Sequence, residues 1–133
     1  MKLSFVKNFL EWFKIKPQLD AVPIYPKFEE GQIWWFYLGE NIGHEENGKG
    51  EKFLRPVVIL KKFNYRIFYA IPTSTQNKNN KYYFQINIKG RAVSALLSQM
   101  RLLDAKRLSY RQGKLSDPEL YLLKKTFIKM ILK

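Results

Sequence analysis

His44, Arg55 and the hydroxyl run Thr73-Ser74-Thr75 are the side chains in this sequence whose types and placement suit them to chemistry. Imidazole is the one side chain that titrates near neutral pH without perturbation, so a histidine in a polar loop can move a proton. A guanidinium at the start of a strand can grip two oxygens of one phosphate. Ser and Thr hydroxyls can donate to a phosphate oxygen, although their commonest work is ordinary turn chemistry.

Composition closes off most other chemistries. With one histidine and no cysteine, neither a typical zinc site nor a disulfide framework can be assembled. Glu45 and Glu46 are adjacent, and no acid lies between Glu51 and Asp104, which argues against a two-metal nuclease cluster. No Gly-x-Ser-x-Gly elbow appears. The Asn47-Gly48-Lys49-Gly50 run lacks the Gly-Lys-Ser/Thr ending of a phosphate loop. An enzyme built from this chain is expected to work without metal or cofactor, on arginine, histidine and hydroxyls.

The elements that must position these groups read as mainly β. Gln32–Leu38 is an aromatic strand in which Trp34 and Trp35 point to opposite faces, so only one of them is core. The polar loop Gly39–Phe53 carries His44, and Arg55-Pro56 opens a second apolar strand, Leu54–Lys61. A turn at Asn64 leads into a third strand, Tyr65–Ile71, followed by a polar loop from Pro72 to Asn80. Tyr82–Ile88 alternates as a strand and ends at Gly90. Periodicity over residues 92–108 permits either a helix or buried strands. Ser116-Asp117-Pro118-Glu119 forms a capping box, and Leu120, Leu123, Phe127, Met130 and Ile131 make the apolar stripe of a C-terminal helix. Lys124, Lys125, Lys129 and Lys133 suit the end of that helix.

Before the first strand, Phe5, Phe9, Leu10 and Phe13 recur near helical spacing beside Trp12. The segment is too charged for a signal peptide and too short to span a bilayer, so it is expected to pack on its own domain rather than on a membrane. Pro17, Pro23 and Pro26 then break the pattern into a linker. The division expected is an N-terminal extension over 1–26 and one domain over 27–133.

At 133 residues with 46% hydrophobic content, the chain can bury a real core. Its net charge of +13 is concentrated in the acid-free stretch from Lys52 to Leu103, which includes Arg55, Lys78 and Arg101. Such a field favours polyanions, either a nucleic acid or an acidic protein.

The stretches GQIWWFYLGENIGHEENG, LRPVVIL, IPTST and LSQMRLLDAKRL, in that order, resemble the PemK/MazF family of toxin endoribonucleases from about Phe28 onward. The resemblance implies a small SH3-like bent β-barrel with a C-terminal helix, here with a short N-terminal helical extension. It implies a two-fold homodimer in the cytoplasm, cleavage of single-stranded RNA without metal, and a cognate acidic antitoxin. In that fold SALLSQMRLLD is mainly strand, which overrides the helical alternative.

The resemblance also assigns roles. Arg55 matches the family's Arg-Pro arginine and would stabilise the dianionic phosphorane formed when a 2′-hydroxyl attacks its own phosphate. Ser74 falls at the family's catalytic hydroxyl, with Thr73 and Thr75 one residue to either side. His44 matches a Gly-His-Glu variant of the loop and is a candidate general base. Glu45, Gln99, Arg101 and Lys78, with Thr73 and Thr75, complete the expected substrate-contacting set. Glu46 stands where the family usually has glutamine, and Ser98 where some members have an acid. Trp35, Tyr37, Tyr82 and Tyr83 could stack unpaired bases, although such aromatics are more often core or interface. Relatives of this architecture that bind DNA gyrase instead of cutting RNA are the alternative, as is an inactive member that only binds RNA or antitoxin.

Overall fold

In the computed structural model, which describes residues 7–133, the elements run α1 (Phe9–Asp20), β1 (Gln32–Tyr37), β2 (Leu54–Lys62), β3 (Ile67–Ser74), β4 (Tyr83–Ile88), β5 (Arg91–Leu96), β6 (Arg101–Asp104), β7 (Leu108–Lys114) and α2 (Asp117–Leu132). The strands form one antiparallel sheet in the order β4-β5-β3-β2-β1-β7, with β6 pairing β3 beside this path. Register shifts interrupt the β1–β7 pairing twice and the β2–β3 pairing once. An extra residue on one strand bends it and increases its twist, and here these shifts curl the sheet into a half-barrel.

β2 is the central strand, and its Val57-Val58-Ile59-Leu60 run is buried on both faces. Val57 and Ile59 join one core with Phe28, Phe36, Phe68 and Leu103. Val58 and Leu60 point the other way into a second core with Ile33, Ile71, Ile86, Leu97 and Leu123. The two cores are the two faces of one curled sheet. The β4–β5 hairpin folds over the second face through the two-residue turn Lys89-Gly90, both residues at positive φ, the mirror-image turn whose twist matches that of the strands. Trp34 is the core member of the tryptophan pair, while Trp35 stacks on Tyr110 at 6.0 Å.

α2 closes the second core. Ser116 accepts from the Glu119 amide, and Glu119 reaches back to the Ser116 amide. Leu123 is fully buried, and Leu120, Phe127 and Met130 pack around it. Ile131, expected in the same stripe, is 64% exposed.

Residues 92–108 hold β5 and β6 with 3-10 turns at Leu97–Gln99 and Ala105–Arg107, mainly strand as the family resemblance implies, because β5 pairs with β4 along its whole length. Other expectations are corrected. Pro72, Thr73 and Ser74 belong to β3 rather than to the following loop, since Thr73 and Ser74 pair with Ala95 and Ser94. Pro17 does not break the first helix: α1 runs through it to Asp20. The packed residue of α1 is Trp12, while Phe9, Leu10 and Phe13 are exposed. Phe5 lies outside the described residues.

Glu30 links α2 to the start of the sheet. Its carboxylate accepts from Lys124 Nζ at 2.5 Å and from the Lys62 amide at 2.9 Å. Burial pushes this carboxyl up, but the Lys124 hydrogen bond, the Lys62 amide and the charges of Lys124 and Lys61 together hold it below its ordinary value. A depressed carboxyl stabilises the fold above its unfolded value and loses that contribution as pH falls through its folded value. The Glu30→Gln variant should therefore melt below wild type at neutral pH, with the gap closing as pH drops through the carboxylate range in thermal melts. Leu123→Ala should cost about 2–5 kcal/mol in urea unfolding, and Ser116→Ala only about 1 kcal/mol.

Candidate active site

Arg55 is set at the start of β2, where Phe36 of β1 is its cross-strand partner. Only 9% of it is exposed, and each guanidinium nitrogen has a partner. Nε donates to the Asn47 carbonyl at 2.5 Å, Nη1 to the Thr73 carbonyl at 2.8 Å, and Nη2 meets Glu46 Oε2 at 3.1 Å. Two of these partners come from the β1–β2 loop and one from β3, so the arginine ties three segments together. The carboxylate supplies the charge that a buried guanidinium requires.

The loop Gly39–Phe53 that carries Glu46 is itself built. Asn41 Nδ2 donates to the Leu38 and Glu46 carbonyls, and Asn47 Oδ1 accepts from the Asn41 amide. Gln99 staples it from outside: its Oε1 accepts from the Glu46 amide at 3.0 Å, and its Nε2 donates to the His44 carbonyl at 2.9 Å. Gly48 has no room for a side chain, since a Cβ would meet the Phe53 carbonyl oxygen at 1.7 Å.

Beside Arg55 opens a cavity of about 430 Å³. Its walls come from the Trp35–Tyr110 stack, from Pro56, Thr73 and Thr75, and from Ile88, Arg91 and Val93 of the β4–β5 hairpin. Lys49, Arg91 and Arg55 give it positive charge, and no carboxylate among the described residues lines it. A curved, basic, aromatic-walled cleft with hydroxyls suits an unstacked nucleotide: rings to cover a base, cations and hydroxyls to meet a phosphate.

The residues expected from sequence separate into two groups. Arg55, Thr73 and Thr75 line this cavity together. Thr73 is buried and its hydroxyl donates to the Pro56 carbonyl at 2.9 Å, while Thr75 is exposed. Ser74, between them, is half-buried and accepts from the Gln76 amide, which is turn chemistry. His44 is exposed at the loop tip, and its backbone carbonyl is the group that Gln99 holds. Glu45 accepts from the Ile42 amide at 2.9 Å within the same loop. Lys78 lies 5.9 Å over the Tyr83 ring. His44, Ser74, Glu45, Gln99, Arg101 and Lys78 do not line the cavity.

Arg101 stands opposite Ala70 on β6, with its charge bearing on Arg107. Burial, with Arg101 adding to it, holds Arg107 below its ordinary range, and one Nη1 of each arginine is buried without a partner. Among the described residues, no three or more of His, Asp and Glu cluster to hold a metal ion.

Sequence reasoning missed the β7 contribution. Tyr110 and Gln112, two apart on one face of that strand, both line the cavity. Their polar, arginine-flanked segment lacks the apolar alternation that marks a strand. The Gln112 Oε1 is buried with no hydrogen-bond partner.

A curled antiparallel sheet closed by a C-terminal helix, with a buried arginine at the start of its central strand, makes this a small half-barrel protein with a basic cleft. Residues 29–131 match the model of the PemK-like, MazF-like toxins of type II toxin-antitoxin systems, and the chain belongs to that family. Membership makes it the toxin half of a pair whose other half is an antitoxin. The crystal structure of MazF from Deinococcus radiodurans shares the fold, with a TM-score of 0.66 at 18% identity over 83% of this chain and 99% of that one. The Mycobacterium tuberculosis toxin MazF-mt6 aligns with a TM-score of 0.47 and 15% identity over 57% of this chain and 87% of that one. No curated protein matches the chain.

A buried carbonyl without a partner costs about 1–3 kcal/mol. Gln112→Met keeps the bulk and removes that carbonyl, so it should raise the urea midpoint of unfolding, whereas Thr73→Val, which breaks a satisfied hydrogen bond, should lower it.

Proposed function

We propose that this toxin is an endoribonuclease that cuts single-stranded RNA by transphosphorylation, without metal or cofactor, in the cytoplasm. The observation that carries this reading is the environment of Arg55. It is a buried guanidinium at the edge of a basic, aromatic-walled cavity, and its one charged partner is the carboxylate of Glu46. A carboxylate oxygen 3.1 Å from Nη2 stands where a phosphate oxygen of bound RNA would lie.

In the reaction, the 2′-oxygen forms a bond to the adjacent phosphorus while the bond to the 5′-oxygen breaks. The products are a 2′,3′-cyclic phosphate and a 5′-hydroxyl. One proton leaves the 2′-hydroxyl and one is delivered to the 5′-oxygen, so charge gathers on the non-bridging oxygens in between. Arg55 serves that charge, because a fixed cation in a water-poor site stabilises the transition state more than the ground state. Thr73 and Thr75 hold the phosphate beside it, and Trp35 with Tyr110 covers a base. His44, on the loop that reaches Arg55, is the assigned proton acceptor. It is exposed on the loop whose Glu46 gives way to the substrate phosphate. The functional unit is a homodimer, and an acidic antitoxin masks the basic cleft.

Purified protein should cut single-stranded RNA in EDTA, with rates falling as salt rises. Arg55→Ala should lower kcat/KM by about 10²–10³-fold. Arg55→Lys should not restore it, because an ammonium lacks the guanidinium's two-pronged geometry. Glu46→Gln should bind RNA more tightly, since the carboxylate no longer competes for Arg55. Equal cleavage by a clean Arg55→Ala preparation would remove the arginine from the chemistry. A gyrase complex recovered in place of any cleavage would replace the nuclease by a protein-binding toxin.

A further inference from the structure

Helix α1 precedes the residues that match the family, 29–131, yet it is fastened to the loop that carries Glu46. Trp12 is buried and lies against Phe53 at the loop's end, with ring centroids 5.6 Å apart. At the loop's start, Gly39 lies flat against the same indole: a Cβ there would fall 2.1 Å from the ring. Lys7, just ahead of the helix, donates to the Asn41 carbonyl at 2.7 Å and to the Gly43 carbonyl at 2.8 Å. At the far end, Lys106 Nζ donates to the Asp20 carbonyl at 2.9 Å, and the Arg107 guanidinium stacks over Trp12 at 5.8 Å. The extension thus grips both stems and the tip of one loop, and anchors to the body of the sheet.

We infer that α1 is a strap that positions the β1–β2 loop, and that Lys7 and Trp12 set how firmly Glu46 closes on Arg55. The role in catalysis rests on the nuclease reading given above; the mechanical coupling does not. Asn41, held by Lys7 through its carbonyl, binds the Glu46 carbonyl through its side chain. Gly39 and Phe53, which both lie against Trp12, are joined by the Gly39 amide donating to the Phe53 carbonyl at 3.2 Å. Loosening the strap removes a hold on the loop that is separate from the Gln99 staple. The closed arrangement then becomes a smaller share of the population, and RNA meets a more available guanidinium.

The test uses the full chain. Hydrogen exchange is measured on wild type, Trp12→Ala, Trp12→Phe and Lys7→Met. Trp12→Ala and Lys7→Met should each speed exchange of the Glu45, Glu46 and Gly48 amides about tenfold and leave Val58 and Ile71 unchanged. Trp12→Phe should restore most of the protection. Unchanged loop exchange in Lys7→Met, which loses no buried side chain, overturns the inference; so does a uniform rise that includes Val58 in both variants.

Cleavage kinetics then read the link to Arg55. Trp12→Ala should lower KM for RNA about fivefold with kcat little changed, and should add nothing in the Glu46→Gln background. An equal shift in both backgrounds would show that the helix does not act through Glu46. Absence of cleavage in every form would sink the nuclease reading, and the exchange result would still decide the strap.

Discussion

The structure depends on how the charge of one buried guanidinium is given partners inside a small protein. Arg55 sits at the mouth of the central strand, where strand, loop and hairpin meet, and an unpaired charge there would be strongly unfavourable. The chain answers with two carbonyls and one carboxylate. The carbonyls belong to Asn47 and Thr73, one on either side of β2, so satisfying the arginine also fixes the loop against the sheet. The carboxylate is the replaceable member. In the proposed reaction a phosphodiester oxygen, carrying the same single negative charge, takes its place on the guanidinium, so one residue would serve both the fold and the chemistry.

Around that point the architecture is economical. Two cores on the two faces of a curled sheet hold β2 rigid, and the β4–β5 hairpin folds over to make the cavity wall opposite the Trp35–Tyr110 stack. The loop has no strand pairing of its own beyond one bridge at Lys49 and Leu54. Its shape comes from Asn41 and Asn47 inside and from Gln99, Arg55 and α1 outside. Segments held by a few polar contacts rather than by a core open at low free-energy cost, which suits a loop that has to exchange Glu46 for substrate.

Much of this was legible in the residues. Continuous apolar runs bounded by Gly, Pro and Asn marked β1, β2 and β3, and the capping box marked α2. The Arg-Pro pair marked the opening of β2, and motif order supplied the family. Local signals failed where tertiary partners decide. Thr73 and Ser74 look like a turn but pair with β5. Residues 92–108 carry a helical period but are drawn into strands by β4 and β3. The first helix's obvious stripe stays in solvent, while Trp12, beside it, finds a glycine to lie on. The hydrogen bonds of Gln99 to the loop were not legible, because only the folded chain brings it to residues more than fifty positions away. Glu46 looked like a departure from the family pattern, and the folded structure makes it the direct partner of the arginine.

The central claim is that RNA phosphate displaces Glu46 from Arg55. The Arg55 Nε–H resonance reports on that guanidinium directly, and it can be followed while a 2′-O-methylated, uncleavable oligonucleotide is added to the full chain. The account predicts a saturable shift of this resonance that tracks binding, with a much smaller shift for the Arg107 side chain. RNA binding that leaves the Arg55 resonance unmoved would contradict it.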